Sequence, residues 1–117
     1  MGVAAMANDI LMVRVYLSEA DHGRRRTLMN EILTLLHDRH ILHGVTVFRG
    51  IAGFGARGIV HADDMLRINV DLPVVVEFFD EPAAAEAAVA LLGDLVPASH
   101  VVSWPATRHG AAPGPAA

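Results

Sequence analysis

Four glycines within nine residues, Gly50, Gly53, Gly55 and Gly58, form the stretch best equipped for chemistry, flanked by Arg49 and Arg57 and followed by His61. Glycine lets backbone N–H groups approach a ligand closely, and successive N–H groups in such turns make anion-binding concavities. A guanidinium adds a planar fork that matches carboxylate or phosphate oxygens. The expected chemistry is therefore recognition of a small anion. Neither the six-residue dinucleotide fingerprint nor a Gly-Lys-Ser/Thr phosphate loop is present, and no nucleophile or acid partner stands beside His61 or His22, so no catalytic residue is assigned. His37, His40 and His43 read as residues at a helix C-terminus rather than a metal set, and no metal site is assigned. Arg14, beside Tyr16, is expected to pair with Glu77 or to contact ligand.

These residues need a scaffold. Leu11, Val13, Val15 and Leu17 alternate with Met12, Arg14 and Tyr16, which predicts a first strand over about 10–17 with one core face. Leu28, Ile32, Leu35 and Leu36 make an apolar stripe in a helix over about 23–39, with Ser18 or Asp21 as candidate N-caps. A second strand is expected over 44–49, followed by a long, partly structured excursion from Ile51 to Leu72. Residues 74–79 are a strand apolar on both faces. Asp80 is the expected N-cap of a second helix with Pro82 in its first turn and a stripe of Ala84, Ala88, Leu91, Leu92 and Leu95. A short last strand runs from His100 and is expected to stop at Pro105.

The order β-α-β-loop-β-α-β predicts an α+β, ferredoxin-like βαββαβ sandwich, a four-stranded antiparallel sheet with two helices on one face. The expectation is one domain over residues 8–106, with flexible tails at 1–7 and 107–117. Of the 117 residues 53% are hydrophobic and 19% charged, rich for a small monomer, and an uncovered sheet face of this kind predicts self-association. The net charge of −4 argues against nucleic acid, and no apolar run is long enough for a membrane span. The absence of cysteine and of a signal-peptide pattern fits a cytoplasmic chain.

Arg14-Val-Tyr-Leu-Ser-Glu-Ala-Asp with His22-Gly23, Gly44-Val-Thr-Val-Phe-Arg-Gly-Ile-Ala-Gly-Phe-Gly, His61, and Asp71-Leu-Pro-Val-Val-Val-Glu together carry a resemblance. The chain resembles the uncharacterised PII-like signalling proteins, relatives of the nitrogen-regulatory PII proteins and of the divalent-cation-tolerance proteins. The resemblance implies a ferredoxin-like homotrimer with clefts between subunits. It implies a small anionic effector there, with an adenine nucleotide the candidate, cradled at Gly53-Phe54-Gly55. It also implies a regulatory loop over 51–72 acting on a transporter or channel, and no enzyme activity. Ala56-Arg57-Gly58 stands where PII proteins carry an arginine-glutamine-lysine-glycine run, and residues 92–99 hold no lysine or arginine. Two other readings fit the residues: a divalent-cation-binding trimer using His22, His61 or Asp63-Asp64, and a small ferredoxin-like enzyme, an isomerase or cofactor-free monooxygenase, with His61 or His22 as base.

Overall fold

The structure is a computed structural model that describes residues 9–17, 22–50, 52–54, 60–62 and 73–110. Eight principal elements follow in order: β1 (Asp9–Leu17), α1 (His22–Asp38), β2 (Thr46–Arg49), β3 (Ala52–Phe54), β4 (Val60–Ala62), β5 (Val74–Asp80), α2 (Pro82–Leu91) and β6 (Val101–Thr107). Short 3₁₀ turns at Leu92–Asp94 and Ala98–His100 join α2 to β6. The main sheet has the order β2-β5-β1-β6, every neighbour antiparallel. This is the expected ferredoxin-like sheet, with the first and third long strands at its centre.

Strand alternation decides the two faces. Val13, Val15 and Leu17 from β1 and Val74, Val76 and Phe78 from β5 are buried, with Ile32 and Leu36 of α1 and Ala85, Ala88 and Leu92 of the second helical segment above them. Removing these apolar surfaces from water is the main stabilising term, at about 25 cal/mol per Å². The α1 stripe is as expected, with Leu28 and Leu35 partly buried against the core.

Three local expectations change. Of the stripe expected for α2 and the turn after it, Ala88 and Leu92 are buried and Leu95 packs against the core, while Ala85 takes the buried place expected for Ala84, which is half-buried. The N-cap is Glu81, with Pro82 at the first position and no side-chain cap. The Asp80 carboxylate accepts the Glu81 N–H at 2.8 Å but is otherwise turned to His43. Finally β6 continues through Pro105 to Thr107. Pro105 stands opposite Leu11 on an edge strand, where a missing N–H is tolerated.

The helix α1 ends at Asp38 and the chain turns at His40, whose φ of 54° is left-handed, the conformation that typically closes a helix C-terminus. Ser18, Asp21, Asp63 and Asp64, and most of the two tails, lie outside the described residues. Among those described, no helix is long and apolar enough to cross a membrane.

Candidate functional site

The face of the sheet away from the helices is built by the alternate residues of its four strands. Register places Phe48, Val75 and Tyr16 in one row, Thr46, Glu77, Arg14 and Val102 in the next, and Phe79, Met12 and Trp104 in a third. Of the large apolar side chains left exposed, Tyr16, Phe48, Phe79, Val102 and Trp104 all belong to these rows. A contiguous apolar surface of this kind marks an interaction site rather than ordinary scatter.

One ion pair stands in the middle row. Arg14 Nε donates to Glu77 Oε1 at 2.6 Å, with Glu77 mostly buried, and the guanidinium carbon lies 5.5 Å from the Trp104 ring centroid, within cation–π range. The Glu77 carboxylate first, and the Tyr16 hydroxyl second, push the Arg14 pKa further up, so Arg14 is a fixed charge. The sequence named Arg14, Tyr16 and Glu77 as a group; the structure brings them together on the open face, with Arg14 and Glu77 ion-paired. Trp104 as the third partner was not singled out. The signal was available, because antiparallel pairing of the first and last strands sets Met12 against Trp104 and Arg14 beside it.

The glycine-rich stretch starts at the edge of the same sheet. Arg49 ends the exposed edge strand β2. Gly50 then donates its N–H to the Pro73 carbonyl at 2.7 Å, and a Cβ on Gly50 would meet the Pro73 ring at 3.4 Å. This close approach clasps the two ends of the 51–72 excursion together next to β5. Within the excursion β3 and β4 pair antiparallel, Gly53 opposite His61 and Phe54 opposite Val60. Part of the long excursion is thus a second, two-stranded sheet, and it draws Gly53, Phe54 and His61 into one backbone unit. Gly55 and Arg57 lie outside the described residues. His22 opens α1 and is not part of the β3–β4 pair.

A polar centre with no local sequence signal sits at the end of β5, just before α2. The buried Asp80 carboxylate receives the His43 backbone N–H at 3.0 Å and pairs with His43 Nδ1 at 2.8 Å through the same oxygen, Oδ2. Burial pushes this carboxyl up, but the hydrogen bonds from the His43 ring, the Glu81 N–H and the His43 N–H outweigh it and hold Asp80 below the usual carboxylate range. It ties the α1–β2 connection to the end of β5. His37 and His40 have ring centroids 5.9 Å apart, and His37 Nδ1 lies 3.1 Å from Asp38 Oδ1. Among the described residues no three His, Asp or Glu side chains converge to hold a metal ion.

DUF190, described as Uncharacterized ACR, COG1993, matches residues 10–108. The chain belongs to the DUF190 family. The motifs that carry the resemblance to uncharacterised PII-like proteins all fall within or beside that span, and that expectation is met. The UPF0166 protein MJ1524 of Methanocaldococcus jannaschii is 35% identical over 69 residues, which are 59% of this chain and 62% of that protein. A UPF0166 protein of Aquifex aeolicus is 33% identical over 70 residues, 60% of this chain and 66% of that one. The match thus spans a little under two thirds of either relative.

Solved structures share the fold. A DUF3240 family protein from Shewanella baltica superposes with a TM-score of 0.56 at 15% identity, covering 92% of this chain and 98% of that one. The divalent ion tolerance protein CutA1 from Ehrlichia chaffeensis gives 0.54 at 8% identity, over 90% and 86%. At such identities the likeness is one of fold alone. For this DUF190 member the ferredoxin-like architecture, the open sheet face and the clasped excursion are the features on which function must rest.

Proposed function

We propose that this DUF190 protein is a PII-like regulatory homotrimer that binds a small anionic effector between subunits and acts on a protein partner through the excursion over residues 51–72. The observation that carries the reading is the open sheet face. Its exposed Tyr16, Phe48, Phe79, Val102 and Trp104 are covered when copies pack sheet to sheet, and the Gly50–Pro73 clasp lies at the edge of that same sheet. Assembly then sets the excursion of one subunit against its neighbour. The effector is an adenine nucleotide or a similar anion, met by Arg49, Arg57 and the N–H groups around Gly50, Gly53, Phe54 and Gly55, with His61 across the hairpin. Arg14, Tyr16, Glu77 and His22 play structural or secondary parts. Ligand selects one arrangement of the excursion and so changes affinity for the partner, a transporter or channel; the partner must change ligand affinity by the same factor. No chemical step on the ligand is involved.

The test combines mass and binding. Native mass spectrometry is expected to give three copies of the 12.5 kDa chain, and calorimetric titration with ATP, ADP and AMP is expected to detect binding that Arg49→Ala and Arg57→Ala weaken. Ligand at a hundred times its Kd should add about 2.7 kcal/mol of stability. A monomer overturns the reading, and the absence of heat with every adenine nucleotide overturns the adenine assignment.

A further inference from the structure

A second surface lies on the helix layer, opposite the open sheet face. Between α1 and the C-terminal part of the α2 segment runs a groove of about 990 Å³. Its floor carries Leu35, Leu91 and Leu95, all only partly buried. Among the described residues that line it, Glu31, Asp38 and Asp94 stand exposed against one cation, Arg39. Asp38 is held by His37, while Glu31 and Asp94 have no hydrogen-bond or ion-pair partner among the described residues. The groove follows α1 from Thr27 to its end at Asp38, which at 1.5 Å rise per residue is about 16 Å, the length of three helical turns.

We propose that this groove docks a basic amphipathic helix of a partner protein. A groove three turns long, apolar at Leu35, Leu91 and Leu95 and polar to acidic along the rest of α1, matches a helix that presents a short set of leucine-type anchors and lysine or arginine on its flanks. Charge complementarity chooses the occupant: the groove carries a local excess of carboxylates within a chain of net charge −4, so an acidic or neutral helix meets repulsion or two unpaired carboxylates, and a basic one meets neither. The sheet face is on the far side of the molecule, so sheet-to-sheet assembly leaves the groove open. The proposal goes beyond the effector reading and does not depend on it.

The probe is a synthetic helix of about four turns with leucines along one face and lysines elsewhere, titrated into the ¹⁵N-labelled full chain; a control peptide carries glutamate at every lysine position. Saturable shifts are expected at the amides of Thr34, Leu35, Leu91 and Leu95, with weaker or no binding of the glutamate peptide. Glu31→Lys with Asp94→Lys, both at exposed positions, should weaken the lysine peptide about tenfold, and Thr34→Trp should block it by filling the groove. The circular dichroism and mass of each variant are measured alongside, so loss of fold or assembly is seen separately from loss of docking. Absence of binding, equal binding of both peptides, an affinity unchanged by the charge reversal, or shifts confined to Val75, Phe79 and Val102 would each overturn the proposal. Nucleotide titration of the same samples reports on the effector reading independently.

Discussion

Phe78 and Phe79 are adjacent, chemically identical and in opposite surroundings. Phe78 is 2% exposed under the helices and Phe79 is 44% exposed on the bare side of the sheet. Each face of β5 reads apolar in the sequence, Val74, Val76 and Phe78 on one side and Val75 and Phe79 on the other. Yet two helices of this size cover one layer only. Apolar character alone therefore does not say which side of a strand this chain buries for itself, while the connectivity, which sends both helices to one face, does.

The contrast can be broken most sharply at those two residues. Phe78→Ala should cost about 3–5 kcal/mol in urea unfolding, the transfer loss plus a cavity, whereas Phe79→Ala should cost under about 1 kcal/mol at concentrations that keep the chain dissociated. Equal costs would mean that the bare face is internally packed after all.

Next in size is Asp80→Ala. It strands the His43 and Glu81 N–H groups and should cost about 1–3 kcal/mol. The pH dependence follows from the lowered Asp80 pKa. A carboxyl depressed in the folded state contributes stability that is fully present above its unfolded value, near 3.9, and is lost as pH falls through the lower folded value. Melting curves from pH 5 to pH 2 should therefore show the wild type losing this contribution as pH falls below about 4 and Asp80→Asn lacking it throughout.

On the bare face the expected effects are on association rather than folding. Val102→Glu, which sets a carboxylate in the row of Arg14 and Glu77 at the edge strand, should shift sedimentation toward the single chain while leaving the melting temperature of the dissociated protein within a few degrees. The smallest and most informative change concerns the ion pair. Arg14→Leu alone should raise the dissociation constant several-fold by leaving Glu77 unpaired, and Arg14→Leu with Glu77→Leu should recover much of it, because an apolar pair of similar volume often replaces a buried ion pair without loss. If the double variant associates no better than the single one, the pair itself aligns the sheets.

What was legible in the sequence follows the same physics. Period-2 alternation in β1 and the apolar run in β5 made the sheet and its open face readable, and Leu28, Ile32 and Leu36 made α1 readable. The stripe of α2 was readable at Ala88 and Leu92 but not at its first residue, since Ala84 and Ala85 differ in nothing but position. Pro105 suggested a stop because its missing N–H breaks an interior ladder, a cost that vanishes at the sheet edge where β6 lies. The pairing of β3 with β4 was masked by glycine, which signals a turn more strongly than a strand. The His43–Asp80 tether joins residues 37 positions apart, and no local pattern encodes such a meeting. Arg14 and Glu77 were recognisable as partners because each interrupts an otherwise apolar strand face.

The bond from the Gly50 N–H to the Pro73 carbonyl has an evolutionary corollary. With the two ends of the insert stapled together at the sheet border, the stretch between them can be lengthened, shortened or exchanged at little thermodynamic expense, since doubling a loop adds only about 0.6 kcal/mol of closure entropy. Insertions and deletions among kindred proteins should accordingly fall between positions 62 and 70, clear of Gly53-Phe54-Gly55, His61 and Asp71-Leu72-Pro73, and a foreign segment transplanted there should leave the underlying sandwich intact.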